Sequence, residues 1–310
     1  MDEFMEKLVG ELKNRFGDGY EINPVTVQKN NDMTMKGIRI NPVGYQVAPT
    51  IYVENFYHQY RSHILSIEMA ADLIQQEYHK CPENKSLPIE FKNYEQIKGM
   101  IRIMVINFEK NREVLQNRPH KRFLDLAVVA YIVLENVPQP YRGGTVQINN
   151  HLLESWGISE EELFEQGLKN MSDEKTVKKI SSVLEESGLI SSETRKELDK
   201  TERSDLEMYV VSNKRKIYGA AHMLDKEIFQ KISEENDSEI LIYPSSVHEL
   251  IVVQTNDIDA VLSNLGTNQV EEVNQAQVDT VDQLSNNIYR YDREKKEVSI
   301  WKEGNPLLVA

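Results

Sequence analysis

Residues 239–253 read Glu-Ile-Leu-Ile-Tyr-Pro-Ser-Ser-Val-His-Glu-Leu-Ile-Val-Val. Two short apolar runs, 239–243 and 247–253, bracket a tight turn of proline and serine, residue types that favour chain reversal. The runs read as adjacent strands. Downstream, a helix is expected over 257–273, and 288–301 read as a hairpin about 292–296 with Tyr289 and Tyr291 on one face. Upstream, Asp225 is placed to cap a helix running to about residue 235. Before that helix, 206–212 and 217–220 are expected to pair across 213–216. Adjacent strands interspersed with helices favour an α+β fold, a mixed or largely antiparallel sheet flanked by helices, over a doubly wound parallel sheet.

Working outward to the N-terminus, Phe4, Leu8, Leu12 and Phe16 recur every four residues and predict a helix stopped by Gly17-Asp18-Gly19. Residues 20–29 and 33–40 read as strands joined by Asn30-Asn31-Asp32, and 47–53 as a further strand that Pro49 confines to a sheet edge. Two apolar stretches rich in β-branched residues, 100–108 and 123–134, suit buried central strands, although a helix fits the second equally well. After breaks at Pro138-Gln139-Pro140 and Gly143-Gly144, residues 159–205 read as highly charged helices. These open on the capping box at Ser159-Glu160-Glu161-Glu162 and stop at Gly188. The organisation expected is an α+β region at 1–140, an acidic helical segment at 141–205 and a second α+β region at 206–310, as separate parts or one continuous domain.

The chain has 310 residues and a formal net charge of -14. Nucleic-acid binding draws its affinity from clustered lysine and arginine, and the basic groups here are short: Lys214-Arg215-Lys216, and the stretch from Arg118 to Arg122. Nucleic acid and anionic membranes are therefore disfavoured, leaving an unknown protein or small molecule as the expected partner. The single cysteine, Cys81, excludes an internal disulfide and fits a reducing compartment. Asp2, Glu3 and Glu6 stand where a signal peptide would carry positive charge. No apolar run reaches the roughly 18 residues of a membrane span. A cytoplasmic protein is expected.

The 244–249 turn holds the ingredients of nucleophilic catalysis: Ser245 or Ser246 as nucleophile, His248 as general base, and Glu249 or a distant acid to orient the imidazole. The serine must bond to the histidine, yet residues two apart on a strand sit about 7 Å apart along it. Ser246 reaches His248 only if the turn folds back, and no Gly-x-Ser-x-Gly elbow accompanies it. A structural turn in a binding or interaction protein without catalysis is the expectation. A hydrolase-like or transferase enzyme is the alternative.

Arg102 and Asp125 interrupt the two long apolar runs. Burying either charge alone would cost several kcal/mol, so they are candidates to pair with each other. No metal site is expected: His58 and His63 are five apart, His151 and Glu154 lack a third ligand, and His248-Glu249 lacks the later histidine of His-Glu-x-x-His. No cofactor is expected either, since Gly143-Gly144 has neither a following Lys-Ser/Thr nor a third glycine. Tyr52, Phe56, Tyr57 and Tyr60 read as a helix packing stripe.

Several stretches also carry a resemblance in their order along the chain. They are Val27-Gln28-Lys29-Asn30-Asn31, Pro49-Thr50-Ile51-Tyr52-Val53-Glu54, Val105-Ile106-Asn107-Phe108-Glu109-Lys110-Asn111 and Phe123-Leu124-Asp125-Leu126-Ala127-Val128-Val129. Further on come Tyr218-Gly219-Ala220-Ala221, Pro244-Ser245-Ser246-Val247-His248-Glu249, Val273-Asn274-Gln275-Ala276-Gln277-Val278 and Tyr289-Arg290-Tyr291-Asp292-Arg293. The chain resembles a family of uncharacterised clostridial-type bacterial proteins known as a domain of unknown function. The resemblance implies a bacterial, intracellular protein and transfers no activity, cofactor or substrate.

Overall fold

Leu8 and Leu12 are fully shielded from solvent, and the helix carrying them organises the first of two units. The computed structural model describes residues 1–44, 50–79, 89–135, 137, 142–201, 206–244 and 246–301. By internal contacts the chain divides into Met1–Met100 with Ile132–Gln147, and Ile101–Tyr131 with Ile148–Ala310. The fold is α+β, with antiparallel sheets flanked by helices.

The first unit opens with α1 (Asp2–Phe16) and the antiparallel strands β1 (Tyr20–Gln28), β2 (Thr34–Pro42) and β3 (Thr50–Tyr52). It continues with α2 (Glu54–Arg61), α3 (Ile67–His79) and the short α4 (Tyr94–Ile97). Spacing by fours puts Phe4, Leu8 and Leu12 on one helix face. There they pack with Ile22, Ile38 and Ile40 of the sheet and with Ala70, Ala71 and Ile74 of α3. Ile22 stands opposite Ile40, so the period-two alternation of both strands delivers apolar side chains to this core. The turn between them takes positive φ at Asn31 and Asp32, residue types that tolerate the left-handed region. Phe56, Tyr57 and Tyr60 of α2 join the same core, the two tyrosines against the ring of Phe4. β3 is an edge strand; Pro49 and Cys81 lie outside the described residues.

In the second unit, β4 (Ile101–Asn107), the short α5 (Arg112–Leu115), β5 (His120–Phe123) and β6 (Leu126–Val133), whose last two residues count to the first unit, give a sheet in the order β4-β6-β5; β7 (Thr145–Gln147) belongs to the first unit. The stretch 123–134 is thus a strand over most of its length. Every residue of β6 is buried, as are all but the last of β4, which is what unbroken apolar runs require. Next come α6 (Asn150–Trp156) and α7 (Glu160–Met171), the latter capped by Ser159, whose Oγ accepts the Glu162 N–H at 3.2 Å. α7 closes the outer edge of β4: the Ile103 N–H donates to Met171 Sδ at 3.1 Å, and Asn170 Nδ2 donates to the Ile101 carbonyl at 2.9 Å. An open strand edge is covered by a helix.

The larger sheet is antiparallel, in the order β13-β12-β10-β11-β9-β8. Its strands are β8 (Lys175–Lys179), β9 (Leu206–Asn213), β10 (Glu239–Tyr243), β11 (Leu250–Thr255), β12 (Tyr289–Asp292) and β13 (Glu297–Ile300). α8 (Ile180–Glu186) and α9 (Ser192–Thr201) intervene between β8 and β9, and α10 (Lys226–Asn236) precedes β10. Leu241 and Tyr243 pack with Val253, Val261 and Ile288. Tyr289 and Tyr291 are both fully buried, with the Tyr291 ring against Phe229.

Four expectations are corrected. Residues 159–205 are not helical throughout, because Lys175-Thr176-Val177-Lys178-Lys179 pairs along β9 and its lysines blunt the sheet edge. Residues 217–220 form no strand: Tyr218 takes φ 56 and Gly219–Leu224 is a 3-10 turn. The helix expected over 257–273 is split into α11 (Ile258–Asn264) and α12 (Thr267–Gln277). β11 begins at Leu250 because the Val247 N–H is drawn out of register to the Asp282 carbonyl, at 2.8 Å.

Leu8→Ala is expected to cost the first unit roughly 2–5 kcal/mol, read as a lower midpoint of urea unfolding by far-UV circular dichroism. A loss below about 1 kcal/mol would show that this core does not rest on α1.

Candidate functional site

The turn after β10 is held from two directions. Backbone bonds run from Val247 to Asp282 (2.8 Å) and from the Ala220 N–H to the Val247 carbonyl (3.2 Å), and Ser246 bridges Gln283. Ser212 Oγ donates to the His248 carbonyl at 2.7 Å. This approach depends on Gly219, where a Cβ would lie 2.6 Å from the His248 carbonyl oxygen and 2.7 Å from the Asn213 nitrogen. Contacts that short force neighbours apart, so only glycine fits.

Both nitrogens of His248 are engaged. Nδ1 accepts the Tyr218 N–H at 3.2 Å, and Nε2 lies 3.2 Å from Asp282 Oδ1. A ring whose Nδ1 accepts carries its proton on Nε2, which makes Asp282 the acceptor. The imidazole also stacks on the Tyr218 ring, centroids 5.6 Å apart and planes at 18°. The hydroxyl of Ser246 is spent differently: its Oγ accepts the backbone N–H of His248 at 3.1 Å. That bond is the turn-forming habit of serine. Ser245 lies outside the described residues. The acid against the ring is Asp282, and Glu249 instead lines a cleft of about 280 Å³ with Thr176, Lys178, Ser212, Asn213 and Lys214.

Arg102 and Asp125 take different partners. Arg102 donates from Nε and Nη2 to Glu174 Oε1, both at 2.8 Å, and from Nη1 to the Ile101 carbonyl at 3.0 Å. Glu174 Oε2 also receives Arg215 Nη2 at 3.3 Å, which in turn reaches the Tyr131 hydroxyl at 3.3 Å. Burial pushes the Tyr131 phenol up to about 12, so it is neutral at physiological pH. Asp125 accepts from Ser285 Oγ at 2.7 Å, Asn287 Nδ2 at 2.9 Å and the Tyr289 hydroxyl. Three donors satisfy this half-buried carboxylate of the β5–β6 turn without a cation.

Two further groups were not singled out by motif. His222, in the 3-10 turn, is 4% exposed and its Nε2 has no hydrogen-bond partner. Burial lowers its pKa, and Asp225, Lys175 and Glu174 act on it more weakly. Arg118 is 5% exposed, and its Nη2 donates to the Ala130 carbonyl at 3.1 Å. Beside it the Tyr131 and Tyr218 rings meet edge-on at 5.0 Å. Among the described residues, no group of three or more His, Cys, Asp or Glu is placed to hold a metal ion, and no helix is long and apolar enough to cross a membrane.

Residues 1–293 match the model of the family of unknown function DUF5688. No curated protein and no solved structure matches the chain.

His222 sets an acid sensitivity. Held neutral in the fold but free to protonate near its ordinary 6.5 when unfolded, it lets the unfolded chain bind more protons, so stability falls as pH drops below that value. Thermal midpoints measured from about pH 7.5 to 5.5 should fall less in His222→Leu than in the wild type; parallel slopes would remove His222 from the cause. Gly219→Ala should lower unfolding stability by roughly 1–3 kcal/mol through overpacking, and a neutral result in urea unfolding would contradict the tight approach.

Proposed function

The chain belongs to that family, and we propose that it is a binding or interaction protein of the bacterial cytoplasm without catalysis of its own. One observation carries the reading: the His248 imidazole is closed at both nitrogens by Tyr218 and Asp282, while Ser246 Oγ bonds to a backbone N–H. A general base must be within hydrogen-bond reach of the proton it takes, and the Ser246 hydroxyl makes no such bond to it. Among the described polar side chains of the turn, the His248 ring is consumed by Tyr218 and Asp282, and the Ser246 hydroxyl by the turn's own backbone. The cleft beside Glu249, about 280 Å³, falls just below the range of ligand sites, about 300 to 1,000 Å³. It suits a small molecule or a side chain of a protein partner. A net charge of -14 argues against nucleic acid, and a single cysteine supports a reducing compartment.

The His248–Asp282 pair favours one second reading, a hydrolase-like or transferase enzyme in which Ser245 supplies the nucleophile. A fluorophosphonate probe separates the two. The binding reading expects no labelling of the full chain. It also expects that the Ser246→Ala variant keeps any partner bound by the wild type. Stoichiometric labelling of Ser245 or Ser246 would replace it with the enzyme reading.

A further inference from the structure

A guanidinium removed from water carries a desolvation cost of several kcal/mol unless an anion and further hydrogen bonds offset it. Arg118 is 5% exposed, and the hydrogen bond its side chain makes goes to a neutral acceptor, the Ala130 carbonyl at 3.1 Å. Its Nε is buried with no partner. Burial pushes the group down to about 10, and the ionisable side chain acting on it is the Tyr218 phenol. Tyr218 is itself fixed: its backbone sits at φ 56, its N–H is held by His248, and its ring lies between those of Tyr131 and His248. The second unit therefore keeps a desolvated cation with spare donor capacity next to an immobilised phenol.

We propose that Arg118, with Tyr218 beside it, receives the anionic group of a ligand, a carboxylate or a phosphate. The assignment rests on the binding reading above. A planar guanidinium matches either oxyanion with directed, charge-assisted N–H···O bonds, and here they would form in a dry setting that strengthens them. The 5% of Arg118 left open restricts the entering group to a compact one, with the body of the ligand outside.

The test is the thermal midpoint of the full chain titrated with sodium phosphate or with sodium acetate, ionic strength held constant with sodium chloride. A saturable rise is expected with phosphate, acetate or both, roughly 2–4 °C at ten times the dissociation constant, and the stronger of the two identifies the oxyanion. Arg118→Met should abolish the rise while melting in chloride at or above the wild-type midpoint, because it removes an uncompensated buried charge. A wild-type chain that answers phosphate and acetate no differently from chloride overturns the proposal, as does a variant that responds like the wild type. Should Arg118→Met not fold, the wild-type titration decides alone. Labelling by a fluorophosphonate would unseat the binding reading without altering this titration, so the two failures are separable.

Discussion

The missing side chain at Gly219 is the constraint on which the polar centre of the second unit depends. Without a Cβ there, the 3-10 turn settles directly on the His248 carbonyl and the start of the Asn213 turn. That approach puts the Tyr218 N–H within reach of His248 Nδ1 and lays the two rings together. Tyr218 then stands against Tyr131 and within electrostatic range of Arg118. A single backbone contact thus brings the Tyr218 ring and the His248 imidazole together. The two residues lie on different parts of the chain, so neither position is set by local sequence alone.

Charge is handled in two ways in this protein. On the first unit, pairs such as Lys7–Glu3 are half or more exposed and contribute little. In the second unit, Glu174 is shared between Arg102 and Arg215, and Asp125 is hydrogen-bonded by three uncharged donors. Buried arrangements of this sort add little net stability, yet removing one member leaves the rest stranded. Their effect is to specify which strands and loops come together. Asp125 ties the β5–β6 turn to residues 285–289, far away in sequence.

Local periodicity made much of the fold legible. The fourfold spacing of Phe4, Leu8, Leu12 and Phe16 gives α1, the alternation about Ile22 and Ile40 gives β1 and β2, and Tyr289 and Tyr291 share a buried face. What stayed hidden was decided by partners. Lys175-Thr176-Val177-Lys178-Lys179 looks like a charged surface until β9 lies beside it. Ile217-Tyr218-Gly219-Ala220 shows a strand-like start because the contacts that demand a glycine come from residues 212, 213 and 248. In the candidate site, the motif about His248 was visible, but Asp282 and Tyr218 were not, since no spacing rule links them to it. Arg118 was lost among Arg118, His120, Lys121 and Arg122, where only burial distinguishes it.

The order in which the chain visits its two units bears on how it is made. The first unit takes Met1–Met100 and is completed only by Ile132–Gln147, while Ile101–Tyr131 between them belongs to the second. On the ribosome, where chains emerge at about 5–20 residues per second, the first unit must wait for Gln147. By the time Gln147 emerges, the oily β4 and β6 runs have left the exit tunnel without α7 to cover β4 or the later strands to complete their unit. Such segments are prone to stick to one another until the rest of their unit has been made.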